Sequence, residues 1–196
     1  MYKFNKDIII TFLGPDGSGK TTLIKKVKKK LLSKKINVSV FHLKPFFLKN
    51  TNFKIVNNPH KQIPRSMFFS LMKLCYWFLI YKIYFFLSFF RPGKIYLFDR
   101  YVDDILIDPI RYRFNLGKKL TSYILNYFPR PDLWIILNIK PKTIWKRKKE
   151  IKYNVLLKQL KDYKKFSNKK KNSILFSDKK NFKIIEDFII KKIEHN

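Results

Sequence analysis

The chain contains little glycine and almost no cysteine. Only five of its 196 residues are glycine, and three of these five lie between Gly14 and Gly19. The single cysteine, Cys75, excludes an intramolecular disulfide, and its apolar neighbours predict a buried structural thiol. The backbone freedom that glycine supplies is therefore concentrated in one loop.

Acidic residues are also scarce, since 13 Asp and Glu stand against 44 Lys and Arg, for a net charge of +31. A charge of this sign is typical of proteins that bind nucleotides, nucleic acids or acidic membranes. Lysine is spread along the whole chain, however, as an AT-rich coding sequence would produce. We therefore interpret the charge as mainly compositional and predict no specific nucleic-acid partner.

A long uncharged apolar run is absent. The N-terminus lacks the apolar region and cleavage site of a signal peptide, which predicts a cytoplasmic protein. The 66–90 segment is long enough to span a bilayer, but Lys73 and Lys82 leave no uncharged run longer than eight residues. A charge at the bilayer centre costs about 2.5–3.5 kcal/mol. We predict a buried or interface helix there, and peripheral membrane contact is the less favoured alternative.

Short apolar runs alternate with helical patterns along the chain. The strand candidates are residues 7–13, 36–41, 94–98, 133–137 and 173–176, and the clearest helices are residues 18–35 and 183–193. This alternation predicts an α/β fold in three layers, with a parallel sheet of about five strands flanked by helices. The length suits a single domain covering residues 1–196.

The glycine-rich loop matches the phosphate-binding pattern G-x-x-x-x-G-K-[ST], with a strand before it and a helix after it. Its expected nucleotide-binding residues are Gly14, Pro15, Asp16, Gly17, Ser18, Gly19, Lys20, Thr21 and Thr22. Small residues let backbone N–H groups surround phosphates, and the helix N-terminus adds partial positive charge. Lys20 is expected on the β- and γ-phosphates and Thr21 on Mg²⁺. ATP and Mg²⁺ are therefore the predicted cofactors.

A second candidate site follows the third strand, at Asp99 and Arg100. Ligands of open α/β sheets bind at the carboxyl ends of the strands. Asp99 is predicted to hold Mg²⁺ through water, together with Thr21. Arg100 is predicted to bind an acceptor phosphate with both guanidinium nitrogens. The alternative is an Asp–Arg pair that only ends the strand.

Two classes of phosphate-loop protein are disfavoured. A GTPase needs an N-K-x-D motif after a later strand, whereas the fourth strand here ends in Leu137, Asn138, Ile139 and Lys140. A motor ATPase needs an acidic pair at a strand end and usually a longer chain. A small-molecule kinase is the remaining class, and it suits the length.

GPDGSGKTT after a strand and DRY after the third strand resemble the thymidylate kinases, which transfer the γ-phosphoryl group of ATP to dTMP. The resemblance implies that Asp16 faces the acceptor's sugar, Arg100 binds its phosphate and Lys44 helps to hold that phosphate. It also implies a lid at about residues 145–158, whose Arg147 touches ATP, and a homodimer through the 66–90 helix. The predicted catalytic residues are Lys20, Asp16, Asp99, Arg100 and Arg147.

The segment after DRY departs from the family pattern, because residues 102–113 replace the usual Ser and Ala-Tyr-Gln segment. Its D-P-x-R-Y-R run resembles a divergent branch of the family that is associated with bacterial surface-polysaccharide genes. The candidate acceptor-contacting residues are Lys44, Arg100, Tyr101, Asp103, Asp104, Asp108, Arg111 and Arg113. A salt-bridged helix and loop without contact to the acceptor is an equal alternative for the segment after Tyr101.

Three functions stay open at this point. A nucleoside monophosphate kinase is favoured, and a phosphorylated acceptor needs no catalytic base. A kinase of the same fold that acts on a sugar is the second hypothesis, in which Asp16 or Asp99 is the candidate base. The third is a nucleotide-binding module without catalytic activity.

Overall fold

The computed structural model describes residues 6–45, 60, 63–88, 93–149, 151–177 and 181–194. The strands in this part of the chain are β1 (Ile8–Leu13), β2 (Val38–His42), β3 (Ile95–Asp99), β4 (Leu133–Leu137) and β5 (Ser173–Phe176). The α-helices are α1 (Lys20–Ser33), α2 (Met67–Ser88), α3 (Lys118–Leu125), α4 (Pro141–Arg147), α5 (Tyr153–Asn168) and α6 (Asn181–Glu194). Two short 3₁₀ helices, Val102–Leu106 and Ile110–Tyr112, lie between β3 and α3.

The strands form one parallel sheet in the order β2-β3-β1-β4-β5. Every residue of β1 and β4 is buried, as expected for apolar strands that are covered on both faces. In the register of the sheet, Asp99 at the end of β3 pairs with Phe12 of β1 and His42 of β2. The carboxyl ends of these three strands therefore meet beside the glycine-rich loop.

Helices cover both faces of the sheet. On one face, Leu23 and Val27 of α1 and Ile185 of α6 pack in a buried cluster with β1 and β4 residues. On the other face, a second cluster includes Tyr81 of α2 and Tyr163 of α5. The predicted three-layer α/β fold with a five-stranded parallel sheet is confirmed.

The ends of the elements differ from the predictions by a few residues. Helix α1 begins at Lys20 and not at residue 18, because Gly19 has a φ of 91°, outside the helical range. Strand β2 begins at Val38, after Ile36 has already been buried beneath α1. Helix α4 is short and ends at Arg147, within the predicted lid at about residues 145–158.

Helix α2 buries only part of its surface. Leu74, Trp77 and Tyr81 are buried against the sheet, whereas Phe68 and Phe86 are each 66% exposed. By length and composition its Met67–Leu87 part could cross a membrane, a test that core helices of soluble proteins also pass. The predicted helix is present, although residues 89 and 90 lie outside the described part.

The prediction that Cys75 is a buried thiol is wrong, because the cysteine lies on the exposed side of α2. Helix α2 is apolar on almost every side, so apolar neighbours in the sequence do not indicate which side faces the core.

Candidate active site

The loop between β1 and α1, which we call the phosphate loop (residues 14–22), has a conformation that requires glycine. Gly17 has a φ of 79°, a backbone conformation that residues with a Cβ rarely adopt. A Cβ on Gly17 would also lie 3.2 Å from the Ile144 carbonyl oxygen and 3.2 Å from the Lys148 Cβ. The end of α4 and the residue after it therefore pack directly against this loop.

Lys20 is buried inside the phosphate loop. Its Nζ donates to the carbonyl oxygens of Gly14 and Pro15, both at 2.8 Å, and lies 3.9 Å from Asp16 Oδ1. The pKa of Lys20 is lowered to about 7, mainly by burial and secondly by the nearby Arg100. Nearby carboxylates oppose this shift. The ammonium group is thus incompletely compensated, and a phosphate bound in the loop would stabilise its charged form.

The oxygens of Thr21 and Asp99 lie together beside the loop. Thr21 Oγ1 donates to Asp99 Oδ2 at 3.2 Å. Asp99 Oδ1 is buried and has no hydrogen-bond partner among the described residues. In the same part of the chain, no three His, Cys, Asp or Glu side chains form a metal-binding cluster. Mg²⁺ prefers oxygen ligands and is often held by one or two protein groups together with substrate phosphates, so this pair fits it.

Asp16 lies between two arginines. Arg100 Nη2 donates to Asp16 Oδ1 at 2.5 Å, and Arg111 Nη1 donates to Asp16 Oδ2. Burial raises the pKa of Asp16, but Arg100 and Arg111 outweigh burial and hold this pKa well below its ordinary value. Asp16 is therefore an anion at neutral pH that orients two guanidinium groups at the edge of the phosphate loop.

Asp104 is fully buried on the other side of Arg100. Its Oδ2 accepts hydrogen bonds from Arg100 Nη1 and, at 2.6 Å, from the Tyr112 hydroxyl, while its Oδ1 accepts from the Tyr163 hydroxyl. Burial would raise the pKa of Asp104, but Arg100 and the two hydroxyl groups lower it. Both oxygens of Asp104 are therefore bonded to donors inside the protein, and its contact with the acceptor stays a prediction.

Two other predicted acceptor residues point away from the phosphate loop. The Tyr101 hydroxyl donates to the Pro129 carbonyl at 2.6 Å, and its ring lies in the core. Asp103 accepts from Trp134 Nε1 and from Lys170 Nζ, each at 3.3 Å. Consecutive residues of a 3₁₀ helix point in directions about 120° apart, which separates Asp103 from Asp104.

Two residues near the end of the 101–113 segment, Asp108 and Arg113, contact residues that precede α2. Asp108 lies 3.4 Å from His60 Nε2, and burial raises the pKa of this carboxyl. Arg113 Nε donates to the Ile63 carbonyl at 3.0 Å. Among the predicted acceptor-contacting residues at positions 101–113, only Arg111 bonds to a side chain of the phosphate loop within the described part of the chain.

Lys44 lies at the edge of the sheet where the loop begins, and Arg147 contacts the loop directly. The backbone N–H of Leu43 donates to the Asp99 carbonyl at 3.0 Å, which places Lys44 at the same edge of the sheet, with its Nζ 4.8 Å from the centre of the Tyr76 ring. Arg147 Nη1 donates to the Gly17 carbonyl at 3.4 Å. The sequence did not predict a role for Lys148, whose Nζ lies 3.8 Å from Asp16 Oδ2.

The sheet order, with a phosphate-binding loop between its central strand β1 and helix α1, is that of the P-loop kinase fold. Comparison with known families narrows this class. The model of the thymidylate kinase family matches residues 12–193, so the chain belongs to the thymidylate kinase family. The family is one of phosphotransferases, and the resemblance predicted from the loop and the DRY segment is confirmed.

Individual relatives agree with this assignment. A probable thymidylate kinase of Sulfolobus acidocaldarius is 32% identical over 144 residues, which cover 69% of this chain and 66% of the relative. The solved thymidylate kinase of Candida albicans has a TM-score of 0.63 at 15% identity and is matched over 96% of this chain and 93% of its own. That of Ehrlichia chaffeensis has a TM-score of 0.52 at 17% identity, over 95% and 99% of the two chains. The two structures establish the shared fold.

Proposed function

We propose that this chain transfers the γ-phosphoryl group of ATP to a nucleoside monophosphate, with thymidine monophosphate as the first candidate. The observation that carries the proposal is the position of Asp16, which lies 3.9 Å from Lys20 Nζ of the phosphate loop and 2.5 Å from Arg100 Nη2. One carboxylate thus joins the donor-binding lysine to the arginine assigned to the acceptor phosphate. Membership of the thymidylate kinase family supports the choice of acceptor.

The donor half of the site would consist of the phosphate loop with Thr21 and Asp99. Backbone N–H groups of the loop and the N-terminus of α1 would bind the ATP phosphates. Thr21 and Asp99 would hold Mg²⁺, which neutralises charge on the transferred group when bound. Lys20 would also neutralise charge on the transferred group, from inside the loop. Charge neutralisation by these groups requires no further acid or base.

The acceptor half would consist of Arg100, Arg111 and Lys44. A nucleoside monophosphate already carries its nucleophile as a phosphate oxygen, so positioning and charge neutralisation are the main requirements. Asp16 remains anionic between its two arginines. A carboxylate has about four acceptor positions, so Asp16 can also accept a hydrogen bond from a sugar hydroxyl.

The contacts of Arg147 and Lys148 support a lid at about residues 145–158 within a single domain. The exposed apolar side of α2, including Phe68 and Phe86, supports a homodimer through this helix, because a surface of this kind is usually covered by a partner. A cytoplasmic location without a specific nucleic-acid partner completes the proposal, and peripheral membrane contact is not favoured.

A coupled assay of ATP consumption tests the function against dTMP, other nucleoside monophosphates and candidate sugars. We expect turnover with dTMP and a fall in kcat of about 10²–10³-fold in Lys20→Ala. Lys25→Ala, which changes an exposed lysine on the same helix, is the matched control and should retain activity. Turnover with a sugar alone would favour the second hypothesis. ATP binding without turnover of any acceptor would favour a non-catalytic module.

A further inference from the structure

Tyr163 brings a distant helix into the acceptor half of the site. It lies in α5, its side chain is 1% exposed, and its hydroxyl donates to Asp104 Oδ1. Asp104 in turn accepts from Arg100 Nη1 through its other oxygen. A chain of buried hydrogen bonds therefore runs from α5 through one carboxylate to the arginine assigned to the acceptor phosphate.

Helix α5 also packs against the element that touches the donor loop. Leu156 and Leu160 of α5 form a buried cluster with Ile144 of α4, and α4 ends at Arg147, which donates to the Gly17 carbonyl. One face of α5 thus supports the α4 end that lies over the phosphate loop, while Tyr163 supports Arg100. The same helix contacts the supports of both halves of the site.

The orientation of Arg100 depends on Asp104. Arg100 is 2% exposed, so no solvent replaces a lost partner. Asp104 binds one of its terminal nitrogens and Asp16 binds the other, which determines the plane of the guanidinium group. Asp104 is itself held from two sides by Tyr112 and Tyr163. If one hydroxyl is lost, a buried carboxylate oxygen has no donor and the carboxylate is expected to rotate toward its remaining partners.

We propose that Tyr163 is a positioning residue for the acceptor: its hydroxyl holds Asp104 so that Arg100 is oriented toward the acceptor phosphate. This inference rests on the proposed transfer to a phosphorylated acceptor. Tyr163 acts through Asp104 and does not touch the substrate itself. Its loss should therefore weaken use of the acceptor more than use of ATP.

The test compares Tyr163→Phe with the native chain in the coupled assay, with dTMP and ATP varied separately. We expect the KM for dTMP to rise by about 5- to 20-fold, since the lost bond is a hydrogen bond to a charged group and part of its effect should reach Arg100. The KM for ATP should stay within about twofold. Tyr96→Phe is the matched control, because Tyr96 is also fully buried in the same core cluster but packs against Phe41 and Phe85.

A second variant keeps the test decisive if Tyr163→Phe folds poorly by circular dichroism. Tyr112→Phe removes the hydroxyl on the other Asp104 oxygen and should raise the KM for dTMP in the same selective way. An unchanged KM for dTMP in a folded variant, or equal rises for dTMP and ATP, would overturn the inference. Failure of the native chain to use any monophosphate would instead overturn the proposed function, so the two failures are distinguishable.

Discussion

The donor and acceptor halves of the site each bury one cation, and they surround it differently. Lys20 in the phosphate loop donates to two neutral backbone carbonyls, and its pKa is lowered to about 7, mainly by burial. Arg100 donates to two carboxylates, Asp16 and Asp104. Burial alone would lower the pKa of Arg100, but Asp104 and its other neighbours keep this pKa well above the ordinary value.

Under the proposed function, this difference gives two ways to prepare a site for phosphate. The donor half leaves a buried positive charge undercompensated, so an incoming anion relieves an electrostatic penalty. The acceptor half neutralises its cation with protein carboxylates and thereby determines its direction before substrate binds. The first arrangement favours binding of a highly charged group, and the second favours geometry.

Arg100→Met is expected to give the largest effect that separates the two halves. The quantity affected is the free energy of unfolding. The change leaves Asp104 buried without its cation, which should lower the free energy of unfolding by about 3–5 kcal/mol. Urea denaturation at pH 7 measures this loss. Arg130→Met, at an exposed position, should change the free energy by less than about 0.5 kcal/mol. Equal losses in the two variants would show that Asp104 does not depend on Arg100.

Lys20→Met, in the donor half, should raise the free energy of unfolding and not lower it. Because burial lowers the folded pKa of Lys20 to about 7 from an ordinary value of 10.5, the folded state bears the whole desolvation penalty below pH 7. Between pH 7 and about 10.5 the folded lysine becomes neutral while the unfolded lysine stays charged, so the penalty shrinks as pH rises. At pH 6 we expect a net stabilisation of about 1–2 kcal/mol, which already includes the loss of the carbonyl hydrogen bonds. At pH 9 the stabilisation should be smaller.

Thermal or urea unfolding of the nucleotide-free protein at both pH values measures this gain, with Lys25→Met as the exposed control. A stabilisation that grows from pH 6 to pH 9 would contradict the undercompensated charge of the donor half.

The smallest expected effect concerns the contact between the phosphate loop and α4. Gly17→Ala places a Cβ at a φ of 79° and 3.2 Å from the Ile144 carbonyl. A left-handed conformation costs about 1–2 kcal/mol, and part of this cost should appear in ATP binding. The KM for ATP should therefore rise by roughly 3- to 10-fold while the KM for dTMP changes little. Gly117→Ala, where a Cβ meets nothing within 4 Å, should leave both KM values unchanged. A larger rise for dTMP would show that the loop contact belongs to the acceptor half.

Much of the fold could be predicted because its signals are local. Strands β4 and β5 have the predicted bounds, and β1 and β3 begin one residue later than predicted. Buried parallel strands are continuous apolar runs. They can be recognised in the sequence because they alternate with helical patterns. Asp99 and Arg100 could be placed for the same reason, since they directly follow such a run.

The surroundings of individual side chains could not be predicted in this way. Asp103 and Asp104 are neighbours in the sequence, yet Asp103 bonds to Trp134 and Lys170 while Asp104 bonds to Arg100. The exposure of Cys75 was missed because α2 is apolar on nearly all sides. No pattern around Tyr163 distinguishes it from an ordinary core tyrosine of an amphipathic helix.

The sequence by itself determined the phosphate loop, because its function depends on contiguous residues and on backbone angles that glycine alone adopts easily. It also determined the strands that carry the loop and Asp99 to one edge of the sheet. Only the tertiary structure decided the partners of Arg100 and Asp104, since Asp16, Asp104 and Tyr163 come from three separate segments. Their contacts depend on the register of β1 with β3 and on the docking of α5, and such long-range packing leaves no local signal in the chain.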